Sequence, residues 1–292
     1  MPVSRKLTLS KMHGAGNDYL FINALKEPCA LNRDRIVRLC DRHFGVGADG
    51  VVLIVPSRTY DFGMRIFNAD GSEAEMCGNA IRCVGKYLFD RGFTDNRRIT
   101  IETAAGPRRL ELKVHGGAAT AAEVDMGEPS WTPGEVPLLP AELSALKRMI
   151  EAAAPGATLV CLSIGNPHAV CFVKQLSDDL VRNLGPHVEN HGAFPRRANV
   201  EFVRVINRSA LEMRVWERGS GETLACGTGA CAAAAAAASI KACGRKVTVR
   251  LRGGVLEIEW KDDNRLYMTG PAEFVFDATL DLDLENESHA GA

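Results

Sequence analysis

MRIFNADGSEAEMCGNA (64–80) and MRVWERGSGETLACGTG (213–229) are one motif written twice. From Cys77 to Cys226 is a step of 149 residues, and in that register Met64 meets Met213, Arg65 meets Arg214, Glu73 meets Glu222 and Gly78 meets Gly227. Phe67 meets Trp216, a second aromatic. The register extends upstream, where Gly16-Asn17 falls on Gly165-Asn166 and Gly50-Val51 on Asn199-Val200. Downstream, ITIETAAG (99–106) matches VTVRLRGG (247–254) at an offset of 148. One register held over most of both halves predicts two similar domains related by an approximate twofold axis. The first domain is expected over 1–122 plus 272–285 and the second over 123–271, joined by the Pro-rich stretch from Gly127 to Pro140. From Asp277 onward there are five acids and no Lys or Arg, so 286–292 reads as a mobile tail.

Both halves read as mixed α/β. YLFIN, GVVLIV and FGMRIF are strands by their β-branched and aromatic content, and LELKV (110–114) alternates. RDRIVRLCDRH (33–43) has helical spacing of Ile36, Val37, Leu39 and Cys40. Each Cys-Gly pair then opens a helix, one from about Asn79 to Arg91 and the other from about Thr228 to Cys243. The second contains seven consecutive alanines, 232–238, which suits a central buried helix approached closely by its neighbours.

The bulk composition excludes several classes. With 292 residues, 46% apolar and 24% charged, the chain can build a packed core in two domains. A net charge of -1 gives no nucleic-acid surface. No run of 18 apolar residues points to a membrane, and the start MPVSRKLTLSKMHG lacks the apolar core of a signal peptide. A cytoplasmic location follows as the default. Nine cysteines, an odd number without CxxC or zinc spacing, argue against a disulfide framework and against a metal site. Most of them, such as Cys171 in AVCFV, read as small buried hydrophobes.

Cys77 and Cys226 differ from the rest by position. Each precedes a glycine at a helix start, where unpaired N–H groups and the helix dipole favour an anion and lower a thiol pKa. The glycine lets a ligand approach the backbone, and such a turn can bind a carboxylate. Two helix starts facing one cleft would set two thiols on opposite sides of one bound molecule. One thiolate could then remove an α-proton while the other thiol delivers a proton to the opposite face. A single such cysteine is more often a packing residue; a matched pair favours catalysis.

HGAGNDY (13–19), FNADGSEAEMCGNAIRC (67–83), GNPHAV (165–170), ANVEF (198–202) and ERGSGETLACGTGA (217–230) resemble the diaminopimelate epimerase family, in the right order over nearly the whole chain. The resemblance implies two similar α/β domains, each a curled, mostly antiparallel sheet around a central helix, with the active site between them. It implies interconversion of LL- and meso-diaminopimelate without pyridoxal phosphate or metal, in lysine and peptidoglycan-precursor synthesis, and commonly a homodimer. Cys77 and Cys226 then look like the acid/base pair, with His168 and Glu217 tuning them. Gly78, Asn79, Gly227 and Thr228 look like the cradle of the reacting carboxylate. Asn17, Asn68, Asn166 and Asn199 look like substrate-holding amides, although Asn17 and Asn68 also read as turn caps. Glu217 and Arg218 look like further substrate contacts, Arg218 facing the far carboxylate as a bidentate cation. One departure is visible: many members carry glutamine after Gly-Ala-Asp, and here Gly50 follows Asp49. Two other readings compete: a racemase of another amino acid, such as histidine, and a non-catalytic amino-acid-binding protein, which would have no reason to keep both thiols.

Overall fold

Alternating and fully apolar strand segments dominate the chain, and in the computed structural model they pair into one continuous, repeatedly bent sheet. The structure describes residues 5–29 and 31–282. The expected tail, 286–292, lies outside the described residues.

The first half runs β1 (Arg5–Gly14), β2 (Asn17–Asn23), α1 (Arg33–Cys40), β3 (Gly50–Val55), β4 (Phe62–Asn68), β5 (Glu73–Ala74), α2 (Gly78–Asp90), β6 (Arg98–Glu102), β7 (Arg108–His115) and β8 (Ala118–Gly127). The second runs α3 (Leu143–Ala153), β9 (Thr158–Ser163), β10 (Pro167–Phe172), α4 (Gly185–Glu189), β11 (Asn199–Asn207), β12 (Ala210–Glu217), β13 (Gly221–Thr223), α5 (Gly227–Ser239), β14 (Lys246–Leu251), β15 (Gly254–Trp260), β16 (Leu266–Pro271) and β17 (Glu273–Leu282).

The two halves repeat one pairing pattern. β1–β2 is antiparallel, β2–β3 parallel, β3–β4 antiparallel and β4–β6 parallel, with β7 and β8 added antiparallel. β9–β10, β10–β11, β11–β12, β12–β14, β15 and β16 follow the same sequence of senses. Even the short hairpins carry the same ion pair, Arg65–Glu73 at 2.8 Å and Arg214–Glu222 at 2.7 Å. β8 and β16 pair with each other, Val124 opposite Met268, and so join the halves across the pseudo-twofold. β17 then returns to the first half and pairs with β1 along its length.

Each half curls around one helix. α2 buries Ile81, Cys83, Val84 and Leu88 against β1, β2, β7 and β8. α5 is buried from Ala230 to Ala237, all round rather than on one stripe. Its alanines let β9, β10, β11, β15 and β16 approach closely. One apolar core runs through both helices, and two smaller ones lie under the outer helices: Ile36 and Leu39 of α1, and Leu146 and Ile150 of α3.

The two helices that follow the Cys-Gly pairs begin and end one to four residues from their expected bounds. α5 stops at Ser239 because Lys241 adopts a left-handed φ of 61°. Within the expected linker, Ser130 bridges to Ser163 of β9, and α3 follows where the sequence offered no motif. Among the described residues no helix is long and apolar enough to cross a membrane.

Candidate active site

Cys77 and Cys226 are the N-cap residues of α2 and α5, with matching extended backbones: φ -138° and ψ 120° for Cys77, φ -125° and ψ 117° for Cys226. A cap of this shape turns the side chain over the first helical turn, where unpaired N–H groups lie. The Cys226 sulfur accepts from the Gly229 N–H at 3.4 Å and lies 3.5 Å from Thr228 Oγ1. On the Cys77 side, Tyr19 donates its hydroxyl to the sulfur at 3.5 Å, and the thiol lies 3.6 Å from Asn17 Oδ1. The two helix starts abut: a Cβ on Gly227 would lie 3.4 Å from Gly78 Cα. Met268 packs beside both glycines, 2.9 Å from a Cβ on Gly78 and 3.0 Å from one on Gly227.

The amides of the first half form a directed chain. Asn79 is 2% exposed; its Nδ2 donates to Asn17 Oδ1 at 3.2 Å and to the Ala225 carbonyl at 3.1 Å. Asn17 Nδ2 in turn donates to Asp49 Oδ2 at 2.7 Å, and Arg42 holds Asp49 and Asp18 at 2.7 Å each. At Gly50 the backbone excludes a side chain, since a Cβ would fall 2.2 Å from the Phe67 carbonyl oxygen. Asp49, one residue earlier, is the group that meets the Asn17 amide there.

The second half uses different polar residues in the same places. His168 stands at the repeat position of Tyr19. It is fully buried between Glu201 Oε1 at 2.7 Å and Asn166 Oδ1 at 2.8 Å, and Asn166 reaches Thr228 Oγ1 at 3.4 Å. Asn199 donates to the Pro167 carbonyl at 3.3 Å and accepts from the Arg218 N–H at 3.0 Å. Thr223 donates its hydroxyl to Glu217. The Arg218 side chain is exposed and donates to the Arg196 carbonyl at 3.3 Å, with no ion pair among the described residues. Asn68 is not joined to this cluster: it is exposed and donates to Ser72 Oγ at 3.0 Å inside its own turn. Among the described residues no group of three or more His, Cys, Asp or Glu side chains is placed to hold a metal ion.

The electrostatics differ from the expectation for helix starts. Burial pushes the Cys77 thiol up, and the N–H groups of the first turn and the Tyr19 hydroxyl offset only part of that. Burial pushes Cys226 well up too, reinforced by the carboxylates of Glu217 and Glu201. Glu217 is itself raised by burial. Desolvation disfavours any charged form, and here it outweighs the helix ends. Tyr19, Asp49, Arg82, Glu201 and Thr223 join the site without having been singled out in the sequence. The 149-residue register could have flagged Tyr19, since it pairs with His168.

Two lobes of one strand order, each curled around a central helix, make a fold that is found in solved structures. A solved hydroxyproline epimerase from Agrobacterium vitis shares it, with a TM-score of 0.67 and 15% identity over 97% of this chain and 94% of that one. The family model of diaminopimelate epimerase matches residues 9–132 and 160–275, and the chain belongs to that family. A diaminopimelate epimerase of Acetivibrio thermocellus is 50% identical over 94% of this chain and 99% of its own length. One from Methanococcus maripaludis is 47% identical over 94% of this chain and 100% of its own.

Proposed function

We propose that this protein epimerises diaminopimelate between its LL and meso forms by a two-base mechanism that uses Cys77 and Cys226 and no cofactor. The observation that carries the reading is the contact of Gly78 with Gly227, which turns both cysteine-bearing helix starts toward one place. A substrate carboxylate there meets the N–H groups of Gly78, Asn79, Gly227 and Thr228, and the two thiols flank its α-carbon. One cysteine, as thiolate, takes the α-proton and becomes a thiol. The other, as thiol, gives its proton to the opposite face and becomes the thiolate. Charge that leaves the α-carbon collects on the carboxylate oxygens, where the same N–H groups and helix dipoles stabilise it.

The remaining residues hold the molecule in place. Asn17 lies beside the Cys77 thiol, and Asn166, at the matched position, reaches Thr228, whose hydroxyl lies beside the Cys226 thiol. Asn199 fixes the Arg218 backbone, and the Arg218 guanidinium, which pairs with no carboxylate among the described residues, receives the far carboxylate of a two-ended substrate. His168 and Glu217 tune the second thiol. Asn68 can take part once its turn is engaged by substrate.

The lobes are read as 1–122 with 272–285, and 123–271; the pairing of β17 with β1 supports that division. A homodimer is inferred as well: Val275 and Phe276 of β17 are exposed apolar side chains that a second copy would cover. We place the protein in a reducing cytoplasm, which would keep the Cys77 and Cys226 thiols from oxidising, and in lysine and peptidoglycan-precursor synthesis, where its product would be consumed.

The test is incubation of the pure protein with LL-diaminopimelate in deuterated water containing a chelator. Meso product should form with one solvent deuterium on the inverted α-carbon. Product without deuterium, or turnover only after pyridoxal phosphate or a metal is added, would contradict the reading.

A further inference from the structure

Arg82 lies in α2, four residues after Gly78, and is wholly buried. A buried guanidinium is normally matched by a carboxylate, because an isolated charge is expensive away from water. Arg82 has no such partner among the described residues. Its Nη1 donates to the Gly78 carbonyl at 2.8 Å and lies 3.7 Å from Met268 Sδ. Its Nη2 donates to Asn79 Oδ1 at 3.0 Å, and its Nε to the Pro271 carbonyl at 3.1 Å. All four partners are neutral. Burial accordingly works against the charge and pulls the guanidinium down from its ordinary value.

The fold does not require a cation at this point. At the repeat position the second half places Cys231, also fully buried, and α5 packs as the central helix of its half without any charge there. The arginine is therefore particular to the Cys77 side.

Its contacts show what it does there. A guanidinium carries only donors, so the Asn79 amide must turn its oxygen toward Arg82. That leaves Asn79 Nδ2 to reach across to Asn17 Oδ1 and to the carbonyl of Ala225, the residue before Cys226. Asn17 must then show its oxygen to Asn79 and to the Cys77 thiol, and its Nδ2 to Asp49. One charged group at the head of the chain sets the direction of every amide in it.

We propose that Arg82 is a positioning residue for the reaction: it orients the Asn79–Asn17 amide chain that links the Cys77 thiol to the loop before Cys226, and it keeps an uncompensated positive charge behind the carboxylate cradle. The proposal rests on the reading that the paired helix starts bind the reacting carboxylate. As the α-proton leaves, that group gains negative charge, so a fixed cation attracts the transition state more than the ground state. Such an effect appears in kcat rather than in KM.

Three full-length variants test this with LL-diaminopimelate: Arg82→Met, Arg82→Lys and Asn79→Asp. Arg82→Met should lower kcat about 100-fold with KM changed less than about threefold, the scale of losing one preorganised electrostatic contact. Arg82→Lys restores a charge without the fork and should recover at least about tenfold of that loss. Asn79→Asp hands Arg82 the counterion it lacks. The new ion pair offsets the bonds that the aspartate's second oxygen can no longer donate to Asn17 and Ala225, so the variant should melt close to the wild-type temperature and still lose about 100-fold in kcat. A merely structural arginine predicts the opposite, with activity following stability. Arg82→Met or Asn79→Asp with kcat within about threefold of wild type would overturn the proposal, as would an Arg82→Lys no faster than Arg82→Met. Should Arg82→Met fail to fold, Asn79→Asp decides, since it keeps the size of the side chain in the core and the contact with Arg82. Cys77→Ala and Cys226→Ala are run beside them. Active cysteine variants would sink the two-thiol reading, whereas inactive ones beside wild-type-like Arg82→Met and Asn79→Asp would sink only the role of Arg82.

Discussion

Gly78 and Gly227, each following its cysteine, touch across the pseudo-twofold: a Cβ on Gly227 would lie 3.4 Å from Gly78 Cα and 3.0 Å from Met268 Sδ. The end of Met268 can yield, but the Gly78 backbone is the first residue of α2 and cannot move without it. Gly227→Ala should therefore spread the helix starts by a few tenths of an ångström. We expect stability to fall by about 1–3 kcal/mol from overpacking and kcat by about 10- to 100-fold from misplacement of the reacting groups. Urea unfolding and steady-state rates check both, and a fully active Gly227→Ala would mean that the contact is incidental.

Glu201 and His168 are both fully buried and 2.7 Å apart. Removing one partner of such a pair strands the other away from water. Glu201→Ala should cost about 3–5 kcal/mol in unfolding free energy, and Glu201→Gln distinctly less. A loss below about 1 kcal/mol for the alanine variant would show that water reaches the site.

Glu217 holds its proton more tightly folded than unfolded, because burial raises it. Below its ordinary value both states are protonated and the contribution to stability is complete. As pH rises through that value the unfolded chain releases the proton first, and stability is lost up to the folded-state value. Glu217→Gln cannot lose it. The urea midpoint of the variant should thus gain on wild type as pH rises above about 4.5; a constant gap would show that Glu217 is not raised.

Burial raises both thiols, so at neutral pH the thiolate that the proposed mechanism needs is a minor species. On the acid side kcat/KM should rise about tenfold per pH unit and continue rising past neutrality. Glu217→Gln removes a carboxylate that opposes the Cys226 thiolate and should move this limb to lower pH. A profile already flat below pH 7 would show a thiolate stabilised more strongly than the free site allows.

The parts of this molecule that were legible in the sequence are those with a local signature or a repeated one. The Cys-Gly helix starts, the alanine wall of α5 and the strands around Val51 and Ile66 read directly from residue type over a short stretch. The 149-residue register carried the two-lobed plan, although it could not foresee α3, which has no counterpart in the first half. Arg82 was hidden because a charged residue on a helix reads as solvated, and its burial is decided by Pro271 and Met268 far along the chain. Glu201 looked like an ordinary strand residue until β10 and β11 paired and set it beside His168. Asn68 shows the converse: its motif spoke for substrate, whereas its turn supplies a nearer partner in Ser72.

In the proposed mechanism Cys77 and Cys226 act from opposite faces of one α-carbon, so that neither can replace the other. The most direct measurement is the initial rate of meso product formation from LL-diaminopimelate by Cys77→Ala and by Cys226→Ala, with circular dichroism to confirm the fold. Each variant should lose at least about 1000-fold, the scale of removing a positioned acid or base. A folded variant of either kind that kept more than about a tenth of the wild-type rate would contradict the account, because a single base would then suffice.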